Sequence, residues 1–271
     1  MHYDRSHIIA LNHPTGAAQP DPSSVPIPRL AISLVLYKNS TTDVQALRRS
    51  VDRVTVPFDL FVYDNSPTDK LRSFFVGPEN FRYRHDPANV GFGRGHNHNL
   101  RGSFDHYDYH LVINPDISFG AGVIEQLVRY MEEHPGVAHV MPQVVLPNGK
   151  TQALVRRIPR PLRLLKRRLF NHSQPPVVEK PKRAEFLSGC FMLIRSEALR
   201  RAGLFDERFF LYFEDLDLSQ RLSAEGTCMY LPNVKVVHNY AGGSRRSLQL
   251  TWLHLQSFVK YYNKHGWRPL W

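Results

Sequence analysis

The stretch YHLVINPDISFGAGVIEQLVRYMEEH, residues 109–134, contains the pattern that sets the fold class. An apolar run ends abruptly in Asn114-Pro115-Asp116, and Val123, Leu127 and Met131 then recur every four residues. A strand, a polar turn and an amphipathic helix are expected in that order. The pattern repeats upstream. LAISLVLY (30–37) is followed by a helical pattern carrying Val44, Leu47, Val51 and Val54, and then by DLFVYDNS (59–66). FRYRH (81–85) is a short strand, and VAHVMPQVVL (137–146), EFLSGCFMLIR (185–195) and TCMYLPNVKVVH (227–238) are further ones. Strands alternating with helices predict an α/β domain built on a mainly parallel sheet flanked by helices. Ligands of such sheets collect outside the carboxyl ends of the strands. Asp64, Asn65, Asn114 and Asp116 each follow an apolar strand and so mark that edge.

Composition bounds the partners. With 271 residues, 42% of them apolar, the chain can bury a substantial core. No apolar run approaches the ~20 residues of a membrane-spanning helix. Residues 1–28, rich in Pro, Ser and Ala and without a signal-peptide core, are expected to be a mobile extension. Cys190 and Cys228 lie in apolar, strand-like surroundings and are expected to be reduced core residues of a cytoplasmic protein. The formal net charge is +11, unevenly placed. Residues 150–183 hold eleven Lys or Arg against the single acid Glu179, and residues 241–271 hold five with no acid. Such asymmetry calls for an anionic partner: phosphates, nucleic acid or an acidic membrane surface. The first basic segment is expected to be an insertion at about 150–183, with a short helix near 162–170. The second, 246–271, is an amphipathic helix with Leu248, Leu255, Phe258, Val259 and Tyr262 near one face. Either could lie on an anionic bilayer, and the second could equally pack back on the core.

In FFLYFEDLDLSQRL (209–222), Glu214, Asp215 and Asp217 follow an aromatic run at the start of a predicted helix. The helix dipole favours negative charge there by about 0.3–1 kcal/mol per group. Asp217 is accounted for by that and by an ion pair with Arg221 one turn on. Glu214 and Asp215 are in surplus, and a carboxylate beside an apolar wall is suited to general-base work. Asp116 can hold a hard divalent cation, with His238 as a second ligand. NVGFGRGHNHN (89–99) precedes a predicted helix, where its glycines could let backbone amides approach a phosphate and Arg94 would add charge. Its spacing departs from G-x-G-x-x-G, which argues against a nicotinamide-dependent dehydrogenase.

VYDNSP, NVGFGRGHNHN, VINPDI, FLSGCFMLIRSEAL, AGLFDERFFLYFEDLDLSQRL and VVHNYAGGSRRS occur in the order seen in family 2 glycosyltransferases. The chain resembles in particular the bacterial rhamnosyltransferases of surface polysaccharide (O-antigen or similar) synthesis. LTWLHLQSFVKYYNKHGW is similar to the tail of that subgroup, and the resemblance covers about residues 30–268.

The resemblance implies an A-type glycosyltransferase fold and an inverting, metal-assisted transfer from a nucleotide sugar. Asp64 would contact the nucleobase, and Asn89, Gly91 and Gly93 would lie along the nucleotide sugar; Tyr37, Arg94 and Asn114 complete that expected set. Asp116 would be the retained acid of the metal motif, with Asn114 standing where many relatives carry the first Asp, and His238 would complete the shell around Mg2+ or Mn2+. Asp215 falls on the position of the catalytic base, with Glu214 orienting the loop or binding acceptor. The subgroup implies L-rhamnose from dTDP-rhamnose as donor and a polyprenyl-diphosphate-linked glycan as acceptor. Another nucleotide sugar, such as a UDP-sugar, is the alternative. The expected catalytic domain is 29–245, peripheral on the inner face of the plasma membrane. A nucleic-acid-binding protein is the rival from another class, and acids placed after strand ends speak against it, so no nucleic acid is expected.

Overall fold

The computed structural model describes residues 27–152, 154, 178–239 and 248–267. Most of the 1–28 extension, most of the basic insertion and its short helix near 162–170 lie outside these residues.

The strands β1 (Leu30–Leu36), β2 (Phe58–Asp64), β3 (Phe81–His85) and β4 (Tyr109–Ile113) run parallel in the order β3-β2-β1-β4. Their register aligns Leu36 with Asp64 and Asp64 with His85, so the carboxyl ends finish at one edge. The sheet continues through β8 (Phe191–Arg195), β6 (Val137–Val145), β9 (Thr227–His238) and β5 (Ile117–Ser118), with β7 (Lys182–Arg183) beside β9. The sheet is mixed. β8 runs antiparallel between β4 and β6, whereas β6 and β9 are parallel to each other. The expected parallel arrangement therefore describes β1–β4 and the β6–β9 pair. A strand's apolar pattern carries no direction, so the reversal of β8 is not visible in it.

Six helices accompany the sheet among the described residues: α1 (Thr41–Val51), α2 (Phe92–Leu100), α3 (Val123–Glu133), α4 (Ser196–Ala202), α5 (Glu214–Glu225) and α6 (Leu248–His265). Ser40 caps α1 by accepting from the Asp43 amide, which satisfies one of the orphan donors of its first turn. Val123, Leu127 and Met131 are buried, as their spacing predicts. The polar turn expected after the apolar run falls at Asn114-Pro115-Asp116, where the Ile117 amide donates back to the Asn114 carbonyl. One difference bears on the site. The glycine-rich stretch does not precede a helix as a loop; α2 begins at Phe92 and takes in Gly93 and Gly95.

A second, aromatic core joins α5 to α6. Phe186, Phe209, Phe213 and Leu216 pack with Tyr261 and Tyr262. The C-terminal helix therefore packs back on the protein with one of its faces. Phe258 and Tyr262 belong to that face, whereas Leu248, Leu255 and Val259 are exposed. The single face expected from the sequence is thus divided.

Candidate active site

The site is assembled at the carboxyl ends of the strands from four loops. At the end of β2, Asp64 accepts from the Ser66 amide (2.8 Å) and from the Tyr83 hydroxyl (2.7 Å), and it is fully buried. Asp64 thus organises the strand end. Asn65, beside it, clamps the start of α2: its amide donates to the Gly91 carbonyl and its carbonyl accepts from the Val90 amide, each at 3.2 Å. Asn89 holds the same turn by accepting from the Gly91 amide. Tyr37 directly follows β1 as an exposed ring, with the Lys38 ammonium 5.2 Å from its centroid.

The glycines have a packing role. A Cβ at Gly91, where φ is +90°, would lie 2.3 Å from the Phe210 carbonyl oxygen, and one at Gly93 would lie 2.9 Å from the Phe205 Cβ. These contacts bring α2 against the 205–213 loop. Asn97 completes the join, donating to the Phe205 carbonyl (2.9 Å) and accepting from the Phe205 amide (3.0 Å). Arg94 stands exposed with Nε 3.5 Å from Glu207 Oε2, so its expected role beside a phosphate is not apparent in this arrangement. The sequence reading missed Asn97, whose partner lies more than a hundred residues away.

Asp116 and His238 are brought together as expected. Pairing of β5 with β9 sets Ile117 opposite His238, and the Asn239 amide donates to the Asp116 carbonyl at 2.8 Å. His238 Nε2 lies 3.2 Å from Asp116 Oδ1. Its Nδ1 faces Gln152 Oε1 at 3.0 Å, a contact that fixes the plane of the ring with Nε2 toward Asp116. Asp116 Oδ1 is buried and accepts no hydrogen bond. A carboxylate oxygen and an imidazole nitrogen so placed fit one edge of a divalent-cation shell. Among the described residues no group of three or more His, Cys, Asp or Glu could hold a metal ion. Asn114, whose amide donates to the Cys190 carbonyl at 3.0 Å, adds no charge.

The three acids of α5 have separate surroundings. Asp217 is fully buried and meets Arg221, Lys264 and His265 at 2.6–2.8 Å. Burial pushes its carboxyl up, but bonds from Lys264 and the Arg221 charge outweigh this and hold it below the ordinary value. Glu214 is buried with Oε2 lacking a hydrogen bond. Burial, followed by the neighbouring Asp215 charge, pushes its carboxyl well above the ordinary range. Asp215 is half-buried; its Oδ1 accepts from the Leu216 amide (2.8 Å) and its Oδ2 from the Gly189 amide (2.9 Å). Directly before them, Tyr212 and Phe213 both take φ of +69°. Two non-glycine residues in the left-handed region cost about 1–3 kcal/mol each, a strain that buried aromatic packing must offset.

The turn at Ser188-Gly189-Cys190 links the two halves of the site. The Cys190 carbonyl receives Asn114, and the Gly189 amide holds Asp215. Burial pushes the Cys190 thiol up to about 12, against a lowering by a hydrogen bond with Ser188 and with smaller raising contributions from the charges of Asp116 and Asp215. Cys190 and Cys228 are free and buried, as expected.

A mixed sheet of this order, with acids gathered at its carboxyl edge, defines the A-type glycosyltransferase architecture. A mannosyltransferase from Pyrobaculum calidifontis, solved with GDP-mannose and Mn2+, superposes with a TM-score of 0.57 over 90% of this chain and 66% of that one, at 17% identity. GalNAc-T7, solved with UDP, GalNAc and Mn2+, gives 0.63 over 80% of this chain and 45% of that one, at 14% identity. The chain belongs to glycosyl transferase family 2, whose family model matches residues 35–203. It is 27% identical to the N-acetylglucosaminyl-diphospho-decaprenol L-rhamnosyltransferase of Mycobacterium tuberculosis, over 78% of this chain and 77% of that one. It is also 27% identical to the rhamnosyltransferase WbbL of Escherichia coli K12, over 63% and 70%. The protein is a glycosyltransferase.

Proposed function

We propose that this enzyme inverts the anomeric centre of L-rhamnose while moving it from dTDP-rhamnose to a hydroxyl of a polyprenyl-diphosphate-linked glycan. The single observation that supports the catalytic assignment is the 188–190 turn, whose Gly189 amide holds Asp215 and whose Cys190 carbonyl receives the Asn114 backbone amide. Asp215 takes the acceptor hydroxyl proton as that oxygen bonds to the anomeric carbon. The bond from that carbon to the diphosphate oxygen breaks, and the nucleoside diphosphate departs from the opposite face. Two backbone amides hold the Asp215 carboxylate in one orientation, which limits the reorganisation needed at the moment of transfer. Glu214, beneath it, shapes the loop and excludes water. Tyr37, Asp64, Asn89, Gly91, Gly93, Arg94 and Asn114 border the donor in this reading. A divalent cation, Mg2+ or Mn2+, would be held by Asp116 and His238 and would supply Lewis-acid neutralisation of the diphosphate.

Rhamnose as the transferred sugar is supported by the two rhamnosyltransferase relatives, and a polyprenyl-diphosphate-linked acceptor by the mycobacterial one. In the same reading residues 29–245 form the catalytic domain of a cytoplasmic enzyme. Its basic segments hold it at the anionic inner face of the plasma membrane, where the acceptor lies. No helix among the described residues is long and apolar enough to cross a membrane.

Thermal stabilisation by a panel of nucleotide sugars, with and without Mn2+, tests the donor. The expected result is a metal-dependent shift with dTDP-rhamnose that Asp116→Ala abolishes. Asp215→Asn is expected to keep that shift and lose transfer by roughly 10²–10⁴-fold. No shift with any nucleotide sugar would overturn the reading, and a larger shift with a UDP-sugar would reassign the donor.

A further inference from the structure

The two faces of α6 have different partners. On the inner face, the Ser257 hydroxyl donates to the Leu211 carbonyl (2.8 Å), the Lys260 ammonium to the Arg208 carbonyl (2.7 Å), and Lys264 and His265 reach Asp217. On the outer face, Leu248, Trp252, Leu255 and Val259 are 91, 59, 51 and 39% exposed. At 3.6 residues per turn these four fall within roughly 60° of arc, on a stripe about 16 Å long. The positions of Ser257, Tyr261 and Lys264 lie on the other side of the helix. The inner face needs its aromatic side chains for the fold, whereas the outer stripe contributes nothing to the protein's own core.

Charge distinguishes the possible occupants. A helix that simply faces water ordinarily carries acids as well as bases, but α6 contains no Asp or Glu, and neither does any of residues 241–271. Arg245 and Arg246 come directly before it in the chain. An acid-free helix with a narrow apolar stripe including a tryptophan, entered through two arginines, suits the interface of an anionic bilayer. A second copy of the chain would bring the same net charge of +11 and no acid within residues 241–271 to offset it.

We propose that α6 is the element that enters the membrane surface, lying in the interface with Leu248, Trp252, Leu255 and Val259 inserted among the acyl chains. This deepens the reading above and rests on it: the inner-face bonds to the 206–213 loop fix the distance and tilt of Asp215 relative to the bilayer that carries the acceptor. The basic segments supply attraction over a distance, and the stripe supplies depth.

The test uses the full chain and vesicles of phosphatidylcholine with and without phosphatidylglycerol. Trp252→Ser with Leu255→Ser alters only exposed positions and should leave the melting temperature unchanged while weakening binding to anionic vesicles by roughly tenfold or more. In a Trp267→Phe, Trp271→Phe background, Trp252 emission should shift to the blue on vesicle addition and be quenched by brominated acyl chains. The proposal is overturned if the doubly substituted protein binds vesicles as the parent does, or if Trp252 emission is unmoved while the protein pellets. It is also overturned if the substitutions convert a dimer to a monomer in sedimentation without changing vesicle binding. Nucleotide-sugar stabilisation, measured on the same proteins, separates the two readings. Its loss in the parent with vesicle binding intact would count against the transferase assignment alone.

Discussion

The Gly189 amide donates to Asp215 Oδ2 at 2.9 Å, and a Cβ on Gly189 would lie 2.8 Å from the Asp215 Cβ. The closeness that orients the carboxylate thus depends on the lack of a side chain at position 189. Gly189→Ala must push the two backbones apart, and the hydrogen bond lengthens with them. Transfer is expected to fall by about 10²-fold, as for a misplacement of about 1 Å at a reacting group. Donor-dependent thermal stabilisation should persist, since the displaced group faces the acceptor. Equal losses of transfer and donor stabilisation would show that Gly189 supports the whole site.

Glu214 is a stored liability. Its carboxyl is pushed above the unfolded value, so its contribution to stability is complete below about pH 4.5 and is lost as pH rises through the folded value. Glu214→Gln keeps the shape and removes the ionisation. The variant should therefore melt higher than the parent at pH 8, with the gap closing toward pH 4.5. Melting curves across that range decide it, and a gap that widened toward low pH would contradict the burial argument.

Three buried histidines act in the opposite direction. His96, His110 and His139 are held to about 3, 4 and 3 by burial, against 6.5 when free. Above pH 6.5 they are neutral in both states. As pH falls from 6.5 toward 4, the unfolded chain takes up protons that the folded one refuses, and stability is lost. Neither ring nitrogen of His139 has a hydrogen-bond partner. In the Glu214→Gln background, which removes the opposing titration, His139→Leu should reduce the acid slope by up to about 1.4 kcal/mol per pH unit. An unchanged slope in urea titrations at pH 4.5–6.5 would exclude that histidine as a source.

Asp217 is the anchor of α6. Asp217→Asn leaves Arg221, Lys264 and His265 facing a neutral amide, and the loss of a buried partner is expected to cost about 3 kcal/mol. The substitution should also raise protease sensitivity near Lys260 and Lys264 before the rest of the chain yields. Uniform destabilisation, with no preferential cleavage there, would mean that the aromatic core alone holds the helix.

The sequence showed the strand ends, and with them Asp64, Asn65, Asn114 and Asp116, because an apolar run that stops at a polar residue is a local signal; Asp215 was visible as a surplus acid at a helix start. It showed less of what joins them. Asn97 and Gly189 act on residues 108 and 26 positions away, and a fixed spacing gives no sign of such partners. The two-residue strand β5, which delivers Asp116 to His238, is too short to show periodicity. The glycines of 91–95 were legible as glycines, but the tight approach they permit is to Phe205, Phe210 and Val35. The apolar positions of α6 were visible too; which of them the fold would cover was not, because the covering residues are Phe209 and Phe213 of a loop with no period of its own.

The reversed strand β8 also governs how the molecule comes apart. It pairs with β4 on one side and β6 on the other, so the sheet order passes from one half to the other through five residues. Either half can loosen alone while β8 stays paired to its neighbour, so full release of Leu193 and Ile194, the two positions registered on both sides, requires both to open. Those amides should therefore be among the slowest to exchange with deuterium, at rates set by unfolding of the whole sheet. Because β8 directly follows the turn that holds Asp215, the wedge that closes the sheet is also the most deeply protected support of that carboxylate.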